Sequence, residues 1–175
     1  MAILIYSENV EGIFKKAVFE LASYASALGQ KLGLEVFAAT IGSVEVSELA
    51  KLGTYGVSQV FTVEDGRLGD FNAQAYAASL GQLAEKVSAQ IVLFQQNYNG
   101  MAVAPRVAAR LGAGMVSGVM AQPSSVNPFV VKRKVFSGKA FANVEIESER
   151  KVLALSQNSF GLHENLMDCD QSAFV

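Results

Sequence analysis

Apolar residues run along this chain in two alternating rhythms. Short, mostly apolar runs at residues 3–6, 34–41, 57–63 and 91–94 are too brief for helices and end at polar residues or glycine. Such runs predict strands covered on both faces. Between them the apolar positions recur at helical spacing. Ile13, Phe14, Ala17, Val18, Leu21, Tyr24, Ala25 and Leu28 predict a first helix that stops by Gly29 or Gly33. Residues 44–52 predict a short second helix, and an alanine-rich stretch capped by Asn72 and running to Val87 predicts a long third. Met101, Pro105, Ala108 and Leu111 predict a fourth, with Gly112 as its stop. The order β-α-β-α-β-α-β-α favours a parallel sheet with right-handed crossovers and helices on both faces.

After Gly112 the rhythm changes. Residues 116–120, 129–136, 141–147 and 151–155 read as strands, separated by Pro123, Pro128, Gly138 and a polar turn at 147–150. Residues 141–146 alternate as a strand with one wet face does, so the four are predicted as an antiparallel extension near the C-terminus. The glycines at 112, 114 and 118 read as cap and turn positions. Residues 161–175 have no apolar period and read as a linker or disordered tail, which leaves 1–160 as one three-layer α/β domain.

The most informative change of rhythm lies at residues 91–112, where a buried strand gives way to a helix across the amide-rich loop 95–100. Loops leaving the carboxyl ends of strands in open α/β sheets are where ligands and partners dock. Asn97, Asn99 and Gly100 fall in that loop. Arg106 has two readings: a solvated helix residue, or a guanidinium whose planar fork ties the loop to a neighbouring strand or to another subunit. In Lys132-Arg133-Lys134, strand alternation points Arg133 away from its two neighbours.

Composition narrows the function classes. The chain is 51% hydrophobic and 17% charged, which fits a sheet buried on both faces or a large partner surface, and favours self-association where that surface is uncovered. A net charge of −2 supplies no basic field, so a nucleic-acid partner is not expected. No run is long and apolar enough for membrane insertion, and a single cysteine, Cys169, points to a reducing compartment such as the bacterial cytoplasm. His163 and Cys169 share the aperiodic tail, which offers no rigid pocket for a nucleophile pair, and nearby acids lack paired metal-ligand spacing. The turn after the first strand, Ser7-Glu8-Asn9-Val10-Glu11-Gly12, has no glycine-rich phosphate motif, and its acids would repel phosphate. Catalytic, metal and cofactor-binding residues are therefore not expected in this chain.

Taken in order, Gly100 with Pro105-Arg106-Val107-Ala108-Ala109-Arg110-Leu111, then Ser117, Phe129-Val130, Arg133, Phe136-Ser137-Gly138-Lys139-Ala140 and Ser159-Phe160, resemble the N-terminal domain of the electron transfer flavoprotein alpha subunit. The match runs from the first strand to about Phe160. The resemblance implies an adenine nucleotide alpha hydrolase-like fold and a docking role within a heterodimer with a beta subunit. It also implies FAD held mainly by a further C-terminal domain, and electron relay from acyl-CoA dehydrogenases of fatty acid β-oxidation and other dehydrogenases to a quinone oxidoreductase of the respiratory chain. Gly100, Arg106, Arg133 and Phe160 carry over as scaffold or interface positions. The chain departs from the family pattern at Gly118, Lys139 and Ser156. The alternative reading is a small nucleotide-binding module resembling universal stress proteins.

Overall fold

The computed structural model describes residues 1–174, beginning with the fully buried strand β1 (Ala2–Tyr6). A small hairpin follows, β2 (Asn9–Val10) and β3 (Ile13–Phe14), before α1 (Lys16–Leu32). This corrects the helix start predicted at Ile13. Glu11 and Gly12 turn the chain at positive φ, and the Phe14 N–H donates to Glu48 Oε1 at 3.0 Å, so both apolar residues are spent on a hairpin. The chain continues through β4 (Glu35–Ile41), α2 (Val46–Ala50), β5 (Gln59–Val63), α3 (Ala73–Lys86), β6 (Ala89–Gln95) and α4 (Tyr98–Leu111). Asn72 caps α3 as predicted, accepting from the N–H groups of Gln74 and Ala75, and Gly112 ends α4 in the left-handed conformation. Then come β7 (Gly114–Val119), β8 (Ser125–Val126), β9 (Phe129–Val135), β10 (Ala140–Glu145), β11 (Lys151–Leu155) and β12 (Asp170–Ala173).

One ten-stranded sheet runs in the order β10-β9-β7-β11-β6-β1-β4-β5-β12, with β8 pairing β9. All pairs from β7 to β12 across the sheet are parallel; only β8, β9 and β10 add antiparallel strands. The antiparallel extension is thus smaller than the sequence predicts. β11 returns to the middle of the sheet between β6 and β7, because its apolar run is buried on both sides: Leu153 and Leu155 face one core, Val152 and Ala154 the other. Gly114 and Gly118 lie inside β7, and at Gly118, φ 75°, the register with β11 slips by one residue. The two cores correspond to the two layers of helices. Ile3, Ile5 and Leu93 pack beneath α1 and Leu49 of α2, whereas Leu4, Tyr6 and Phe94 pack beneath α3 and α4.

α4 begins three residues earlier than its predicted start, so Tyr98, Asn99 and Gly100 form its first turn. Its buried face is Gly100, Val103, Ala104, Val107, Ala108 and Leu111, while Pro105 is exposed. Gly100 sits where the helix meets the end of β6. A Cβ there would run into the carbonyl oxygen of Gln95, so only glycine permits this approach.

The segment after β11 differs most from its predicted character. α1 carries a buried polar stripe, Glu20, Ser23 and Ser26, spaced three apart on one side of the helix. The Glu20 carboxylate accepts the N–H groups of Asn158 and Phe160 at 2.8 Å and of Gly161 at 3.1 Å. Ser23 Oγ accepts the N–H of His163 at 3.0 Å, and Asn165 Nδ2 donates to Ser26 Oγ at 2.8 Å. Main-chain bonds from Asn165 to Thr54 and from Met167 to Gly53 then lead into β12, which pairs with β5. The segment lacks apolar periodicity because hydrogen bonds, rather than burial of a face, hold it in place.

Burial pushes the Glu20 carboxyl upward, but the N–H groups of Phe160, Gly161, Asn158 and Ser159 outweigh this and hold it below its ordinary value of 4.5. A carboxyl lowered by folding stabilises above its unfolded value and loses that contribution as pH falls through the lowered one. Glu20→Ala, which strips the acceptor from three main-chain donors, is expected to lower unfolding free energy by about 3 kcal/mol in urea titrations at neutral pH. Glu20→Gln is expected to flatten the loss of thermal stability below pH 4.5 relative to the parent chain; identical acid profiles would assign that loss to other carboxylates. Gly100→Ala is expected to cost about 2 kcal/mol by the same urea measurement, because neither helix nor strand backbone can yield cheaply.

Candidate functional site

β1 feeds α1 on one face of the sheet, whereas its neighbour β6 feeds α4 on the other. Chains leaving adjacent parallel strands toward opposite faces open a crevice at their carboxyl ends, the usual ligand position of this architecture. A crevice of about 410 Å³ lies there, lined by Glu8, Lys15, Lys16, Gln95, Asn97 and Asn158 among others.

Glu8 organises one wall. Its carboxylate accepts from Asn97 Nδ2 at 2.5 Å and from Asn99 Nδ2, so two amides of α4's start hold the loop after β1. Asn97 also caps α4: its Oδ1 accepts the N–H of Gly100 at 2.7 Å. The negative charge therefore sits at the positive end of the helix dipole, where a bound phosphate would otherwise be favoured. That position does not fit the pyrophosphate of a dinucleotide, because a carboxylate of the chain itself occupies it.

The other wall is built differently. α1 follows Lys15 with no side-chain cap and has no acidic residue in its first turn; the Val18 N–H reaches the Lys15 carbonyl at 2.9 Å, and no side chain caps the turn before it. On the floor, Gln95 is 7% exposed; its Oε1 receives a long 3.4 Å bond from Asn97, and its Nε2 has no hydrogen-bond partner among the described residues. The fully buried Ser7 hydroxyl is likewise unpartnered among them.

Of the residues singled out in the sequence, Asn97, Asn99 and Gly100 converge on Glu8 and the start of α4. Arg106 does not reach them: it is exposed two turns along, with Nη1 donating to the Ala102 carbonyl of its own helix at 2.6 Å. Arg133 lies on β9, half-buried between exposed Lys132 and Lys134 as alternation predicts, and its Nε is buried without a partner among the described residues. Phe160 packs edge-on against Tyr24, ring centroids 5.3 Å apart, and gives its N–H to Glu20. Sequence reasoning misses Glu8 and Glu20 as structural carboxylates. The signal for Glu20 is present, since Glu20, Ser23 and Ser26 interrupt the apolar pattern of α1 at a constant spacing of three. Among the described residues no cluster of histidine, cysteine, aspartate and glutamate could hold a metal ion, and no helix is long and apolar enough to cross a membrane.

Known proteins are similar to this chain in sequence. The sequence profile of the family described as "Electron transfer flavoprotein domain" matches residues 3–171. The electron transfer flavoprotein subunit alpha of Syntrophomonas wolfei subsp. wolfei is 30% identical over 145 residues, covering 83% of this chain and 44% of that protein. Its counterpart in Bacillus subtilis is 28% identical over 144 residues, 81% of this chain and 43% of that protein. The lactate dehydrogenase (NAD(+),ferredoxin) subunit LctC of Acetobacterium woodii is 30% identical over 149 residues, 85% of this chain and 36% of that protein. The chain spans less than half the length of these curated relatives and corresponds to their N-terminal part. With nearly its whole length matched and the α/β sheet to go with it, the chain belongs to the electron transfer flavoprotein domain family.

Proposed function

We propose that this chain is the N-terminal docking domain of an electron transfer flavoprotein alpha subunit and works by positioning partners, without catalytic residues of its own. The family match over residues 3–171 carries this reading. Its partner is a beta-type subunit, and the heterodimer relays electrons from acyl-CoA and other dehydrogenases toward a quinone oxidoreductase in the cytoplasm of a bacterium. FAD is held outside this chain, in a further flavin domain and the beta subunit. Glu8 supports that division: seated at the α4 N-terminus, it disfavours a flavin pyrophosphate there, and for the same reason it weighs against the nucleotide-binding alternative.

The antiparallel extension suits a partner surface. β9 and β10 continue the sheet past β7 and expose Phe141 at 54%, with Phe136 at 80% in the turn between them. Lys132 lies over the Phe141 ring, 4.5 Å from its centroid, so the patch is apolar with a cationic rim. Arg133 lies on the same strand as Lys132, half-buried, with its Nε turned away from solvent. Arg106, exposed and bonded only to its own helix, is available to a partner on the α4 side.

Purified by itself, the chain is expected to be colourless and to show no thermal shift with ATP or AMP. It is expected to enter a yellow complex when the flavin domain and beta subunit are supplied. Flavin absorbance near one equivalent on the chain alone would contradict this reading.

A further inference from the structure

We propose that β10 pairs with β10 of a second copy of this chain, antiparallel about a two-fold axis at Ala142, so that the sheet continues from one copy into the other. The docking role assigns no such pairing. β10 is the end strand of the sheet: β9 lies on one side of it, and among the described residues no strand pairs the other. One bond fixes the direction of its main-chain groups. The Ile146 N–H, one residue past β10 and in continuous register with it, reaches the Phe129 carbonyl on the β9 side at 2.9 Å. Alternation therefore turns the main-chain groups of Ala140, Ala142 and Val144 toward β9, and those of Phe141, Asn143 and Glu145 outward. Each outward residue offers an N–H and a C=O to an incoming strand.

Sheet edges are usually blunted by shortness, proline, a bulge or charge. The opposite edge follows that rule, since β12 is the short polar run Asp170-Gln171-Ser172-Ala173. β10 does not. It runs as Ala140-Phe141-Ala142-Asn143-Val144-Glu145 in regular register with β9, without proline or lysine and with a charge only at its last residue.

The sequence of this edge is complementary to itself. In a two-fold antiparallel pair centred on Ala142, Phe141 of each copy lies opposite Asn143 of the other, and these outward residues exchange both main-chain bonds. On the other face Ala140 meets Val144 and Ala142 meets its own copy, which brings apolar side chains together across the strands. At the ends, Lys139 comes beside Glu145 of the second copy, so opposite charges meet at both. Both residues are exposed, and neither forms an ion pair among the described residues. Moving the centre one residue along, to Asn143, sets Glu145 against Phe141 instead. Lys132 and Lys134 do not oppose the pairing: they lie on β9, one strand back from the edge, with Lys132 over the Phe141 ring of its own chain at 4.5 Å. This match of charge to charge across the strands selects a second copy as the occupant.

The test is made on the chain alone, by sedimentation equilibrium together with amide hydrogen exchange read by NMR. A monomer–dimer equilibrium in the micromolar range is expected. The Phe141 and Asn143 amides are expected to exchange more slowly as concentration rises, and the Ala142 amide, already turned to β9, to stay unchanged. Asn143→Pro removes an outward N–H, leaves the bonds to β9 in place, and is expected to weaken the dimer at least about tenfold. Lys139→Glu is expected to weaken it about tenfold, and Lys139→Glu combined with Glu145→Lys to return it to parent strength. That rescue separates loss of pairing from loss of folding. The proposal is overturned if the chain stays monomeric at high micromolar concentration, if a dimer forms that ignores Asn143→Pro, or if the double charge exchange fails to restore it. Slowing of the Phe141 and Asn143 amides only when a beta-type subunit is added would give the edge to that subunit and likewise overturn it. Because the dimer is read without any partner, its failure leaves the docking reading untouched, and failure of docking leaves the dimer standing.

Discussion

The parallel pairing of β1 with β6, in which Ile3, Leu4 and Ile5 lie beside Ile91, Val92 and Leu93, sets the geometry of the crevice and of everything around it. Both strands are buried on both faces, so each must send its following helix to one side or the other. One goes each way, and the gap that this leaves at the strand ends is bridged by polar groups: Glu8 from the first loop, Asn97 and Asn99 from the second. Gly100 allows the bridge to be short, since it lets the first turn of α4 close directly on the Gln95 carbonyl. The same crevice therefore has one wall tied together by side chains and one wall where α1 begins without a side-chain cap.

Buried carboxylates recur as fasteners in this fold. Glu20 gathers three main-chain donors, of Asn158, Phe160 and Gly161, from the segment after β11, and Glu48 in α2 receives the Phe14 N–H of the β2–β3 hairpin while pairing with Lys51. In each case a helix carboxylate satisfies backbone N–H groups of a neighbouring segment. Glu20 is the more consequential of the two. It sends the chain from the centre of the sheet along α1, through Ser23 and Ser26, to the opposite edge at β12. Phe160, on that path, owes its place to Glu20 and to the Tyr24 ring.

Elements buried by apolar periodicity are legible in the sequence; elements held by polar contacts are not. β1, β4, β5, β6 and the bodies of α1, α3 and α4 follow their apolar patterns, and Asn72 and Gly112 mark real helix ends. The order of strands is less legible, since the run at Lys151–Leu155 does not reveal from its own residues that it enters between β6 and β7. Ile13 and Phe14 mislead because a two-residue hairpin uses the same residue types as a first helical turn. The segment beyond Phe160 misleads more deeply, since its partners on α1 lie some 140 residues away and leave no local rhythm. For the site, Asn97, Asn99 and Gly100 are found from sequence as a cluster, while Glu8 reads there only as a charge hostile to phosphate.

The proposed docking role is judged by what the working surface holds. The exposed phenylalanines of the β9–β10 edge and the family match together make the proposed association with a beta-type electron transfer flavoprotein subunit the central claim. Light-scattering mass measurement on the chain mixed with that subunit tests it most directly. A one-to-one complex that weakens when Phe136 and Phe141 are replaced by serine is the predicted result; two separate species at micromolar concentration, unchanged by mixing, would contradict it.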